Sequence, residues 1–122
     1  MRGGRGDDVL DVSRAAGGIY LVGADGRDDI IGSDFNDTLI GGDAPDRLLS
    51  GDGNDRLTGD AGPDTYRAGD GHDRVYAGSD HARAERDRSI VCGPGGDLAI
   101  VDRVEAPPVS YTHLTLPTIL RV

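Results

Sequence analysis

The 122-residue chain is long enough for one small domain, and its net charge of −9 excludes the basic footprint that nucleic-acid binding requires. Its acids are 20 Asp against 2 Glu, and its 13 basic residues are all Arg; the shorter carboxylate suits tight turns and loop-borne metal sites. Cys92 is the single cysteine, which leaves no internal disulfide and no Cys-rich zinc site, and no apolar run approaches the length of a membrane span.

Residues 1–22 carry a degenerate form of a pattern that becomes regular further on. Met1 leads directly into RGGRGDDVLD without the apolar stretch of a signal peptide, so the natural N-terminus is expected to be missing. Residues 3–11 read GGRGDDVLD, with Asp8 in a metal position and Leu10 in a core position. Val12 and Ser13 then read as a two-residue insertion. Residues 14–22 keep Gly17 and Leu21 in register but put Ile19 where aspartate belongs, which predicts a rung that stacks without a cation. Arg5-Gly6-Asp7 spells an adhesion tripeptide, a string that such a repeat generates by itself.

Residues 23–76 are one nine-residue phrase repeated six times without a gap: GADGRDDII, GSDFNDTLI, GGDAPDRLL, SGDGNDRLT, GDAGPDTYR and AGDGHDRVY. The sixth place is always aspartate (Asp28, Asp37, Asp46, Asp55, Asp64, Asp73), and the eighth is always bulky (Ile30, Leu39, Leu48, Leu57, Tyr66, Val75). A short period with one fixed carboxylate and one fixed core residue predicts a stacked solenoid that binds a hard cation.

Residues 77–108 are expected to form an irregular C-terminal cap, because a solenoid must blunt its open end. Residues 77–85 put Ala82 at the metal position, and the charged stretch HARAERDR reads as an inserted surface loop or helical turn. The register returns once as CGPGGDLAI, with Asp97 sixth and Ala99 as a weak core residue. Residues 109–122 have no repeat register, and VSYTHLTLPT back-translates to a sequencing-library adapter, so this stretch is expected to be a non-native tail.

The phrase dictates a geometry. Places seven to nine form a short strand that points the eighth residue inward, and the other six turn the chain with glycines that allow φ > 0. Two phrases make an eighteen-residue coil with strands on opposite faces, and coils stack at about 4.8 Å. Residues eighteen apart then lie above one another, so Asp28, Asp46 and Asp64 form one column and Asp37, Asp55 and Asp73 the other. Stacked carboxylates repel unless a cation lies between coils. Calcium, which takes 6 to 8 oxygens in loose geometry, fits better than magnesium, and soft metals lack His or Cys at the repeated places.

The six phrases resemble the GGxGxDxUx repeats of the RTX, or haemolysin-type, calcium-binding family. The resemblance implies an all-β fold, a right-handed parallel β-roll (β-solenoid) of stacked nonapeptide turns, which folds outside the cell on meeting calcium. It implies Ca²⁺ held between turns by the six repeat aspartates and by backbone carbonyls near Gly26, Gly42, Gly51, Gly53, Gly62, Gly69 and Gly71, with Asp8 and Asp97 as weaker sites. Several ions, about four, are expected. CGPGGDLAIVDR resembles the closing segment of actinobacterial-type members, in which a further cysteine often follows; none follows Cys92. Phe35 and Ala44 depart from the pattern in the fourth place, which puts binding at Asp37 and Asp46 in doubt.

The third-place acids Asp25, Asp34, Asp43, Asp52 and Asp70 tune the local field, accept turn hydrogen bonds or ligate directly. There is no EF-hand loop ending in Glu, and neither His72 nor His81 has a partner at a catalytic spacing, so no enzyme is expected. The ninth-place residues Ile31, Ile40 and Leu49 point outward beside Thr58, Arg67 and Tyr76 as a candidate patch for a neighbouring domain of the same protein. The resulting expectation is a secreted, extracellular calcium-binding module of a larger bacterial protein. The alternatives are the tail of a secreted hydrolase (protease or lipase) and the spacer of an adhesin or surface layer.

Overall fold

The computed structural model describes residues 1–77, 89–101, 111–112 and 119–120. They form thirteen strands: β1 (Arg2–Arg5), β2 (Val9–Asp11), β3 (Tyr20–Asp25), β4 (Asp29–Ile31), β5 (Thr38–Asp43), β6 (Arg47–Leu49), β7 (Arg56–Ala61), β8 (Thr65–Arg67), β9 (Arg74–Tyr76), β10 (Ser89–Val91), β11 (Leu98–Val101), β12 (Tyr111–Thr112) and β13 (Ile119–Leu120). Odd strands make one sheet and even strands the other, in chain order along each sheet. Every pairing is parallel. The chain thus alternates between two facing parallel sheets, which is a β-solenoid, and the described residues contain no helix.

The register is the one the repeat demands. Leu39 lies beside Leu57, and Leu48 beside Tyr66, each eighteen residues on. Between β1 and β3, and between β2 and β4, the partners are twenty apart (Arg2 with Val22, Val9 with Asp29), which places the two extra residues between β2 and β3, as the insertion at Val12 and Ser13 predicts. The offset grows to 24 at the far end, where Asp73 meets Asp97. The extra residues there, including Ala82 and the HARAERDR stretch, lie outside the described residues. Of residues 109–122, β12 pairs with β10 and β13 with β11, one strand on each sheet.

The core is two columns of eighth-place side chains. Leu21, Leu39, Leu57, Val75 and Ala99 come from the odd strands, and Leu10, Ile30, Leu48, Tyr66 and Ile90 from the even strands; all are buried. One inward residue per short strand makes a thin core.

The outward faces require a correction. Successive phrases lie on opposite sheets, so the ninth-place residues do not form one patch. Ile40, Thr58 and Tyr76 line one sheet, and Ile31, Leu49 and Arg67 line the other. On the first sheet the Arg56 guanidinium lies 5.0 Å from the centroid of the Tyr76 ring, so part of that apolar row is already covered.

Candidate metal centre

The sixth-place aspartates sit where the chain leaves each turn and enters the next strand, with their side chains directed into the solenoid. All six are buried. They form the two predicted columns, one along each edge. On the first edge the Asp28 N–H donates to Asp46 Oδ1 and the Asp46 N–H to Asp64 Oδ1, both at 2.8 Å. On the second edge the Asp37 N–H donates to Asp55 Oδ1 and the Asp55 N–H to Asp73 Oδ1, also at 2.8 Å. Asp8 joins the first column through its N–H to Asp28 Oδ1 (2.9 Å), and Asp97 joins the second by accepting the Asp73 N–H (3.0 Å). From Asp28 to Asp73, and at Asp97, each carboxylate therefore caps an amide of the preceding coil with one oxygen, Asp37 doing so for the Ile19 N–H.

The other oxygen has a different environment. Oδ2 of Asp8, Asp28, Asp46, Asp55 and Asp73 is buried without a hydrogen-bond partner. A buried carboxylate oxygen with no donor is costly unless a proton or a cation compensates it. On the first edge these oxygens lie in a cradle that only glycine permits. A Cβ on Gly3 would meet Asp8 Oδ2 at 2.6 Å and the Gly23 carbonyl at 2.9 Å. Gly41 stands in the same relation to Asp46 Oδ2 and, at 2.9 Å, to the Gly59 carbonyl. On the second edge the first place is instead Gly32, Ser50, Ala68 and Cys92, so the two edges are not equivalent.

The turn carbonyls also converge. A Cβ on Gly51 would meet the Ser33 carbonyl at 2.5 Å, and one on Gly53 the Phe35 carbonyl at 2.7 Å. Gly69 and Gly71 abut the carbonyls of Gly51 and Gly53 in the same way. Gly26, Gly42, Gly51, Gly53, Gly62, Gly69 and Gly71 all have positive φ, which the turn needs at its second and fourth places. Ala24 (φ 94°), Ala44 (φ 80°) and Asp60 (φ 70°) enter the same region without being glycine. The departure at Ala44 therefore leaves the turn shape before Asp46 intact, whereas Phe35 does not follow it.

Among the described residues, no three His, Cys, Asp or Glu side chains cluster into a metal site. A cation here has to draw on one buried carboxylate per coil and on carbonyls, an all-oxygen set that suits calcium. The third-place acids Asp25, Asp34, Asp43, Asp52 and Asp70 are exposed, and Arg5 approaches Asp25 at 3.9 Å on the surface. Asp43 and Asp70 nevertheless contribute like charge to the columns, at Asp46 and Asp73.

Burial raises the pKa of several column carboxylates. It pushes Asp46 up to about 7, with the charges of Asp64, Asp28 and Asp43 adding to it and the Asp28 N–H opposing it. Burial likewise pushes Asp73 to about 7 and Asp55 to about 6, and it raises Asp28 and Asp97. In the unfolded chain the same groups titrate near 3.8. Between these values the calcium-free fold binds more protons than the unfolded chain, so its stability is greatest below about pH 4 and is lost as pH rises towards 7. In EDTA, circular dichroism should therefore show more β structure near pH 4 than at pH 8, and the calcium midpoint should rise as pH falls, because protons compete for the carboxylates. A β signal in EDTA that is flat from pH 4 to pH 8 would remove this reading.

A side-chain ladder on the second edge is not evident in the nonapeptide. The Asn54 N–H donates to Asn36 Oδ1 (2.8 Å), the His72 N–H to Asn54 Oδ1 (2.9 Å), and the Gly96 N–H to His72 Nδ1 (2.8 Å). His72 is thus a rung of this ladder. On the first edge the fifth places are Asp7, Arg27, Pro45 and Pro63: the Arg27 N–H donates to Asp7 Oδ1 (2.9 Å), and the two prolines, which have no N–H to satisfy, end the ladder there. His81 lies outside the described residues. Cys92 is free and buried, and burial, with Asp97 and Asp73 nearby, pushes its thiol up to about 12, so it is an unreactive packing residue.

A family model described as the RTX calcium-binding nonapeptide repeat matches four copies, over residues 22–57 and 49–81. No curated protein and no solved structure gives a significant match. The repeats of this family bind calcium and are not a catalytic domain. The matched segment contains both carboxylate columns from Asp28 to Asp73 and the strands that stack them. Over residues 22–81, this chain belongs to the RTX calcium-binding nonapeptide-repeat family.

Proposed function

We propose that the chain is a calcium-dependent β-roll module of a secreted bacterial protein, in which calcium binding and folding are one event. The ligands are the carboxylates of Asp28, Asp46, Asp55, Asp64 and Asp73, extended at the ends by Asp8 and Asp97, together with the carbonyls of the glycine turns. The observation that carries this reading is the set of buried Oδ2 atoms without a donor at Asp28, Asp46, Asp55 and Asp73. Bound calcium supplies the positive charge that these groups lack. The residues do the rest. The first-place glycines keep the cradle open, each Oδ1 ties its coil to the next, and the eighth-place column holds the strands at a fixed spacing. The expected affinity range of extracellular modules, about 10⁻⁴–10⁻³ M, suits a protein that stays unfolded inside the cell and folds outside it.

Native mass spectrometry at matched calcium and magnesium concentrations tests this. Several calcium adducts should appear on the folded chain, while magnesium, which keeps its waters and needs a strict octahedron, should bind weakly and leave the chain unfolded. Equal occupancy and equal folding with both ions would mean that bulk acidity, rather than the built site, attracts the cations.

A further inference from the structure

The turn between β4 and β5 differs from the other turns of the repeat block. In the other five regular phrases both the second and the fourth residue have positive φ; Ser33 and Phe35 in this turn do not. The consequence is local and chemical. With an ordinary backbone angle, the Ser33 N–H donates to Asp37 Oδ2 at 2.5 Å. The Ser33 hydroxyl lies 3.0 Å from both carboxylate oxygens and donates to them, and it accepts the Phe35 N–H at 3.2 Å. The Ile19 N–H donates to Oδ1 at 2.8 Å. Both oxygens of Asp37 are therefore supplied with donors from its own turn and from the preceding rung. Asp55 and Asp73, next in the same column, each keep a buried Oδ2 without a partner. A carboxylate already held by two N–H groups and a hydroxyl has its charge compensated by dipoles, and a cation would have to displace them.

The geometry points to the turn at residues 32–37 as a rung closed by Ser33 instead of calcium, so that the second column takes its cations only from Asp55 onward. This rests on the calcium reading above and refines it. The serine does for one carboxylate what calcium does for the others, and gives the column a first rung that needs no metal. Ile19, which stands where the preceding aspartate would be, is consistent with this end of the column having no cation to share.

The test is the calcium count of the full chain by native mass spectrometry at saturating calcium, with circular dichroism to confirm folding. D37N should keep the wild-type count, and D55N should lose at least about one ion. S33G/F35G, which restores glycine at the second and fourth places, should gain about one. A D37N chain that loses as many ions as D55N, or a double variant that gains none, overturns the inference. If D37N does not reach the wild-type β signal, the double variant decides alone. A full count retained by both D46N and D55N would overturn the calcium assignment itself, and this inference with it, which separates the two failures.

Discussion

With calcium chelated at pH 8, the chain should lose most of its far-UV β signal, and calcium at about 10⁻³ M should restore it. The reason lies in the cross-section of the fold. Each short strand contributes one fully inward side chain, from Leu21 to Val75 on one sheet and from Leu10 to Tyr66 on the other. Against this thin core stand 20 glycines among 122 residues, each of which loses more backbone freedom on ordering than any other residue. The folded chain must also bury a column of carboxylates along each edge, and at pH 8 the groups raised to about 6 and 7 are ionised. Removing the cations leaves these charges stacked at strand spacing with Oδ2 unsatisfied, and the backbone ladder alone does not compensate them. Metal binding is then folding free energy. A chain that shows its full β signal in EDTA and does not respond to calcium would sink this account. The same experiment at pH 4 supplies a control, because protonation should replace part of what calcium does.

The sequence was most legible where the period is strict. The eighteen-residue coil, the alternation of core residues and the two aspartate columns follow from arithmetic on six ungapped phrases, and even the shift at Val12 and Ser13 appears as an offset of twenty between β2 and β4. What the period hides is the difference between its odd and even members. Asn36, Asn54 and His72 look like variable fifth places until they are read eighteen apart, when they become one hydrogen-bonded ladder facing the prolines of the other edge. The first place has a partial asymmetry, with Gly23, Gly41 and Gly59 on one edge against Gly32, Ser50 and Ala68 on the other. The outward apolar residues were misplaced for the same reason, since Ile31 and Ile40 are nine apart and lie on opposite sheets. Ser33 was not legible at all. Whether a serine turns its N–H and hydroxyl into Asp37 depends on a backbone angle, and Ala24, Ala44 and Asp60 show that a non-glycine residue at such a place can still adopt positive φ.

Replacing Asp46 by Asn should remove about two bound calcium ions and weaken the calcium midpoint of folding by roughly tenfold or more. Asp46 lies between Asp28 and Asp64 in the first column: its Oδ1 accepts the N–H of the Asp28 coil, and its own N–H donates to Oδ1 of the Asp64 coil. The substitution isolates charge from shape. An asparagine Oδ1 can still accept the Asp28 N–H that Asp46 accepts at 2.8 Å, so the ladder between coils survives. The second oxygen becomes an NH₂ group, which presents a donor in the cradle formed by Gly41 and the Gly59 carbonyl and cannot ligate a cation. Asp46→Ala would be the poorer test, because it also leaves a buried N–H unsatisfied and mixes that cost with the lost ligand. The control is Asp29→Asn. Asp29 is half-buried on the outer face of β4, paired across the ladder with Arg47, and it removes the same unit of charge from the same repeat block. Its calcium count and midpoint should stay close to those of the unaltered chain. Calorimetric titration of both variants gives the comparison directly: a large loss in Asp46→Asn beside a small one in Asp29→Asn places the cations in the columns, and equal losses would mean that the nonapeptide geometry does not hold them.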